Sequence, residues 1–220
     1  MGDFRYTVPK PVATSLPSAL YELFDNTHRW GRQDWRKQPV SPSLRGVLVQ
    51  THHAEKYSAD SLLERATGAV PIENYLRRLI DSRQMFDGLV ELSIFDSGVG
   101  LAPQMARSEI SGLSLQAEYD LIMRCLRQWG TSSQDLNRGL GLHRMMLDVS
   151  SAGGFVRLRT GRLALYRDFI DRPYRGFDPA NPQCISFADW ANNDVSPTRM
   201  PMSAGALFTV MVPLVRNERR

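Results

Sequence analysis

Glu22 and Asn26 stand four residues apart in the stretch YELFDNTHRW, residues 21–30, so a helix there sets them one above the other on one face. A carboxylate and a carboxamide presented together suit a magnesium–phosphate site. The amide oxygen is a hard, neutral ligand for an ion that keeps most of its waters, and the carboxylate can orient or deprotonate an attacking water. Arg29, three residues past Asn26, could reach a phosphate oxygen from the same face. A second group ends a run that alternates like a strand: Val90, Leu92 and Ile94 share one side, and Asp96-Ser97-Gly98-Val99-Gly100 follows. A carboxylate at a strand end can accept a hydrogen bond from an exocyclic amine. Gly98 and Gly100 would let the backbone lie against a flat ring. A third group is Arg138-Gly139-Leu140-Gly141-Leu142, where glycines at a helix start expose backbone N–H groups and the helix dipole adds partial positive charge. It is not a P-loop, since no Gly-Lys-Ser/Thr follows, nor a dinucleotide fingerprint, which needs a third glycine directly after a strand. Taken singly, each group also has a plainer reading: the polar face of an amphipathic helix, an Asp-Gly turn, and a helix N-cap.

The elements that must carry these groups follow from periodicity. Leu16, Leu20, Leu23 and Phe24 recur at helical spacing, predicting a helix from a Thr14 or Ser15 cap to Trp30, with Pro17 in its first turn. A short strand is expected at 46–51 and a helix at 71–84 through Ile72, Tyr75, Leu76, Leu79 and Ile80, before the strand at 89–95. Residues 101–116 read as a Ser- and Gly-rich loop. Helices follow at 117–129 (Leu121, Ile122, Cys125 and Leu126 inward, Gly130 as stop) and from Leu142 to Val149, closed by Gly153-Gly154. A hairpin around Gly161, an irregular stretch over 168–204 and a last strand in GALFTVMVPL complete the chain. These elements make an α+β two-layer sandwich, a mixed, mostly antiparallel sheet with helices on one face.

At 220 residues the chain can bury a proper core as one domain. With 42% apolar and 23% charged residues it has an ordinary globular composition, and no apolar run nears the roughly 20 residues that span a bilayer. The N-terminus, MGDFRYTVPKP, lacks the apolar stretch of a signal peptide, and Cys125 and Cys184 show no metal spacing, so a cytoplasmic protein with free thiols and no membrane contact is expected. The net charge of +4 rests on arginine, since Lys10, Lys37 and Lys56 are the only lysines. No basic run exceeds the terminal RNERR, so nucleic acid is the less favoured partner, though it stays open. His52-His53 as a metal pair lacks a third ligand. No Gly-x-Ser-x-Gly elbow is present.

In order along the chain, Glu-x-x-x-Asn on a helix, Asp-x-Gly-x-Gly after a strand and Gly-x-Gly-Leu opening a helix resemble the GHKL ATP-binding domain. That superfamily takes in gyrase B, the large heat-shock chaperones, the histidine-kinase catalytic domain and MutL. The ending Gly205-Ala206-Leu207-Phe208-Thr209-Val210, closing in Val212-Pro213, resembles the last strand of histidine-kinase ATPase domains. The resemblance implies a Bergerat-type fold over a core of 14–214, insertions at 52–87 and 168–204, and an ATP lid at 101–137. It implies ATP and Mg²⁺ as ligands. Asn26 would hold the metal, Asp96 the adenine amino group with Gly100 beside the ring, and Gly139 and Gly141 the phosphates. Glu22 stands where ATP-hydrolysing members carry a general base. Thr131, Ser132 and Ser133 would be lid contacts to phosphate, and Thr209 would reach the adenine through a water near Asp96.

The functions implied are Mg²⁺-dependent ATP hydrolysis coupled to a conformational change or partner, a His or Ser protein kinase acting in trans, or a nucleotide-sensing module without turnover. A partner protein or domain in trans and an ATP-dependent homodimer belong to the same set of expectations. The sequence departs from sensor kinases in lacking a phosphoacceptor histidine before the first helix.

Overall fold

The computed structural model describes residues 6–7, 10–53, 59–82, 86–127 and 141–216. In chain order these form β1 (Tyr6–Thr7), α1 (Lys10–Trp30), β2 (Arg45–His53), α2 (Ala59–Arg65), α3 (Val70–Asp81) and β3 (Phe86–Asp96). They continue with α4 (Leu101–Ala106), α5 (Leu115–Leu126), α6 (Gly141–Ser151), β4 (Phe155–Gly161), β5 (Leu163–Asp168), β6 (Ala188–Asp189) and β7 (Ser203–Arg216), with a 3₁₀ turn at Pro182–Ile185 before β6. The strands form one sheet in the order β2-β3-β7-β4-β5-β6, with β1 added beside the far end of β7. Every pairing among the described strands is antiparallel, so the sheet is not mixed. The architecture is α+β, as the alternation of elements implies.

Alternation along the strands sorts the core into two layers. Leu92 and Ile94 of β3, Val156 and Leu158 of β4 and Phe208, Val210 and Val212 of β7 face a cluster with Leu23 of α1, Ile122 and Leu126 of α5 and Met145, Met146 and Val149 of α6. Leu89, Phe155, Tyr166 and Met211 face the other way, onto Leu62 of α2 and Tyr75, Leu76 and Leu79 of α3. Helices therefore cover both faces, which corrects the expectation of one. The expected insertion at 52–87 supplies the second layer: the Tyr75 and Phe155 rings lie 5.2 Å apart, and Tyr75 Oη donates to Gly153 O at 3.1 Å. Arg78 ties the same helix to Asp168 at 2.8 Å.

The elements differ from the sequence reading at the start of α1, at Phe24 and over 101–116. Helix α1 starts at Lys10, so Pro17 sits inside it, on an exposed side. Proline there forfeits the bond its N–H would have made to the preceding turn. Phe24 is exposed, while Leu23 is buried. Within 101–116, expected as a loop, Leu101–Ala106 form α4, and the helix expected at 117–129 begins at Leu115: Ser114 Oγ caps α5 by accepting the Ala117 N–H, and Ile122 and Leu126 are fully buried. Of the segment expected as a lid, Ala102, Ile110, Ile122 and Leu126 are buried, 107–109 and 111–112 are exposed, and 128–137 lie outside the described residues.

The 168–204 stretch is folded too. Phe187 is buried, and its backbone carbonyl accepts Tyr119 Oη at 2.8 Å. Asp189 organises the following turn by accepting the N–H groups of Ala191 and Thr198 at 2.9 Å each.

A buried ion pair fastens α5 to the β4–β5 turn. Glu118, 0% exposed, accepts the Arg162 N–H at 2.9 Å and Arg162 Nε at 2.7 Å. Arg162 Nη2 then donates to the Ile110 and Leu113 carbonyls. Removing one partner strands the other without water. Glu118→Ala should therefore cost about 3–5 kcal/mol of unfolding free energy, whereas the paired change Glu118→Leu with Arg162→Met should recover most of it. Urea unfolding followed by circular dichroism measures both.

Candidate functional site

Helix α1 touches both of the other sequence groups that lie within the described residues. At its C-terminal end, a Cβ on Gly31 would fall 2.7 Å from Asp96 Cβ, and a Cβ on Gly98 would fall 2.7 Å from Gly31 Cα. Backbone this close to backbone requires glycine. Further back along the helix, Glu22 lies against the first residue of α6: a Cβ on Gly141 would fall 2.6 Å from Glu22 Cβ and 2.8 Å from its Oε2. Asn26 lies between, on the Glu22 stripe. The helix rise places Glu22 about 13 Å from Gly31 along the axis. Glu22 and Asn26 thus share one stripe of α1, with the glycine start of α6 beside Glu22, whereas Gly31, nine residues on and about half a turn round the axis, meets the strand-end acid from another side.

Asp96 is held from several sides. Its Oδ1 accepts the Gly98 N–H at 2.8 Å, and Arg45 is its cross-strand partner. Burial raises the carboxyl above its ordinary value of 3.8, against the lowering by the Gly98 and Ala206 N–H groups and by the Arg45 charge.

Beneath it, Gly205 adopts φ +63°, and a Cβ there would run into the Asp96 carbonyl oxygen. Gly205 N–H donates to Gly98 O at 2.5 Å, and Gly205 O accepts Thr160 Oγ1 at 2.9 Å. Gly100, at φ +88°, has Thr160 Oγ1 where a side chain would begin, 2.7 Å from an added Cβ. The space left by Gly98 and Gly100 is thus taken up by protein on the Gly31 and Thr160 sides. Packing requires these glycines whether or not a flat ring lies beside them.

Among the described residues, no side-chain hydrogen bond engages Glu22 or Asn26, so both are available to a ligand. Arg29 is not turned toward Asn26. Its Nε pairs with Asp25 Oδ2 one turn back, where the opposite charge draws it. Thr209 does not join Asp96 either. It is 1% exposed and bonds Ser93 at 2.9 Å, on the face opposite the one Ile94 and Phe208 share. Leu142 packs against the core of the α1 side, and His143 Nδ1 lies 2.9 Å from Tyr174 Oη, its basicity lowered by burial and by Arg144. Thr131, Ser132, Ser133, Arg138, Gly139 and Leu140 lie outside the described residues.

Gly31, Arg45, Thr160 and Gly205 are the site-shaping residues that sequence reasoning left without a role. Register alone reveals Arg45 opposite Asp96. The other three are signalled only weakly, by a glycine after a helix end, one opening the last strand, and a threonine before a turn glycine.

No helix among the described residues is long and apolar enough to cross a membrane, and no cluster of three metal-ligating side chains occurs among them. Compared with protein-family models, curated proteins and solved structures, the chain matches none.

The glycine seam makes a sharp prediction. Gly205→Ala should destabilise the protein by more than about 2 kcal/mol, because it combines left-handed backbone with a clash against Asp96. Gly112→Ala, with nothing within 4 Å, should stay within about 0.5 kcal/mol of the parent in the same urea titration.

Proposed function

We propose that the chain binds ATP with Mg²⁺ in the manner of a GHKL domain of Bergerat-type fold and hydrolyses it slowly, in the cytoplasm, coupling nucleotide state to a partner. The observation that carries this reading is the meeting of three remote sequence groups along α1: Glu22 against Gly141, Asn26 between, and Gly31 against Asp96 and Gly98. A purine with an exocyclic amine would donate to Asp96. The triphosphate would run along α1 toward the N-terminal end of α6, whose N–H groups and dipole favour anions.

Asn26 suits a hard divalent ion: it offers a neutral amide oxygen, and Glu22 stands on the same stripe as a carboxylate free for the attacking water, both without a side-chain hydrogen bond among the described residues. Bound there, Mg²⁺ would offset phosphate charge. The chain's own contribution to hydrolysis is positional: Glu22 Oε would take the proton of a water aligned on the terminal phosphate. Guanine is disfavoured, because its carbonyl would face the Asp96 carboxylate.

Calorimetry of ATP with and without Mg²⁺ tests the reading. Asp96→Asn should weaken ATP about 10- to 100-fold, the worth of a hydrogen bond to a charged group. The amine bond needs the ionised carboxylate. Affinity should therefore be fully present above the raised Asp96 value and fall as pH drops through it, and the Asn variant should lack this dependence.

Stability should move the opposite way. A raised folded value means that ionised Asp96 costs stability above it, a cost that fades as pH falls. At neutral pH, Asp96→Asn should then melt no lower than the parent, which separates lost binding from lost folding. Glu22→Ala should reduce phosphate release about 100-fold or more with ATP affinity kept. Unchanged turnover would remove Glu22 from the chemistry, and ATP affinity unaltered by Asp96→Asn would remove the adenine assignment.

A further inference from the structure

Strand β2 ends the sheet opposite β6, and among the described strands nothing pairs with its outer side. From Gly46 to Thr51 it has none of the features that usually blunt an edge. It is nine residues long, contains neither proline nor lysine, and pairs with β3 over Arg45–His53 without a register shift. Its middle is apolar and open: Val47, Leu48 and Val49 are 44%, 50% and 60% exposed.

Neighbouring side chains extend the apolar surface on both faces. Val47 and Val49 stand opposite Ile94 and Leu92, on the α1 side. His28 of α1 lies against Arg45 there, with Nδ1 and Nη1 2.6 Å apart, so Phe24 and Tyr21 on the same helix stripe rise beside the edge, Tyr21 68% exposed. On the other side, Leu48 neighbours the half-exposed Phe95 ring, which covers Gly46.

We propose that β2 pairs with β2 of a second copy of this chain, antiparallel about a two-fold axis at Leu48, joining the two sheets into one. In that register Leu48 meets its own counterpart, Val47 meets Val49 in both directions, and Arg45 meets Thr51. Apolar residues face apolar ones, and no like charges stand opposite each other. The open apolar surface of Tyr21, Phe24, Val47, Leu48, Val49 and Phe95 is on the order of 500 Å² per copy, given side chains that offer about 150–250 Å² each when aromatic. A stable interface takes about 800 Å² per partner, somewhat over half of it apolar. The apolar share of such an interface, somewhat over half of about 800 Å², is about what this surface offers, and the unpaired main-chain groups of the edge belong to the polar remainder.

The pairing is independent of the nucleotide site and requires no ATP. Sedimentation equilibrium of the full chain, with and without Mg²⁺-ATP, should give twice the 24.9 kDa chain mass in both conditions. Leu48→Lys should shift the protein to monomer, raising the dimer dissociation constant at least 100-fold. The thermal midpoint measured on monomer and the ATP affinity should be unchanged, because Leu48 lies outside the site. Leu48→Cys should form a disulfide-linked dimer under mild oxidation, since directly opposed strand residues have Cα atoms about 4.5–5.5 Å apart, within disulfide range.

A monomer at about 100 μM, a dimer that appears only with ATP, a dimer that survives Leu48→Lys, or capture of a different protein's strand in place of self-pairing would each overturn the proposal. Dimerisation without Leu48→Cys cross-linking would overturn the register.

Discussion

The site depends on a seam where backbone meets backbone without side chains between. Gly31 at the end of α1, Gly98 after β3 and Gly205 at the start of β7 close around Asp96, and an added Cβ at any of the three would collide with protein. The seam fixes the end of α1 against the end of β3. Because α1 is one continuous helix, the same constraint decides where Asn26 and Glu22 stand relative to Asp96. The middle of the helix is pinned by Glu22 against Gly141. A half-buried carboxylate braced by the Gly98 N–H is costly to hold ionised. Asp96 raised by burial is the kind of group that gains from a ligand donor.

The rest of the fold makes that frame stiff. Tyr75, Leu76 and Leu79 back the sheet on the face away from α1, and the Glu118–Arg162 pair ties α5 to the β4–β5 turn whose Thr160 holds Gly205. Each element near Asp96 is therefore anchored in a buried layer.

Much of this was readable from residue order. The apolar spacing in α3, α5 and α6 found their buried faces, because a helix that packs on one side must repeat its apolar residues each turn. Helix α4 escaped, being six residues with a proline and too short for a period. Pro17 was read as a helix start because proline favours the first turn, but α1 runs through it. Thr209 was misplaced by following a motif instead of strand parity. Phe208 and Val210 point to the α1 side, so the residue between them must point away. The partnership of Arg45 with Asp96 and the Gly205 contact depend on register, which a single sequence does not show. The helix over 71–84 is legible from its apolar spacing, but its place on the second face is not, because periodicity marks a buried stripe and not which face of a sheet it covers.

The convergence along α1 can be watched directly by hydrogen–deuterium exchange of the full chain at saturating Mg²⁺-ATP. A nucleotide lying along the helix predicts slower exchange at three places together: residues 22–31, 96–100 and the first turn of α6 from Gly141. No change, or protection confined to one of the three, would contradict a shared site.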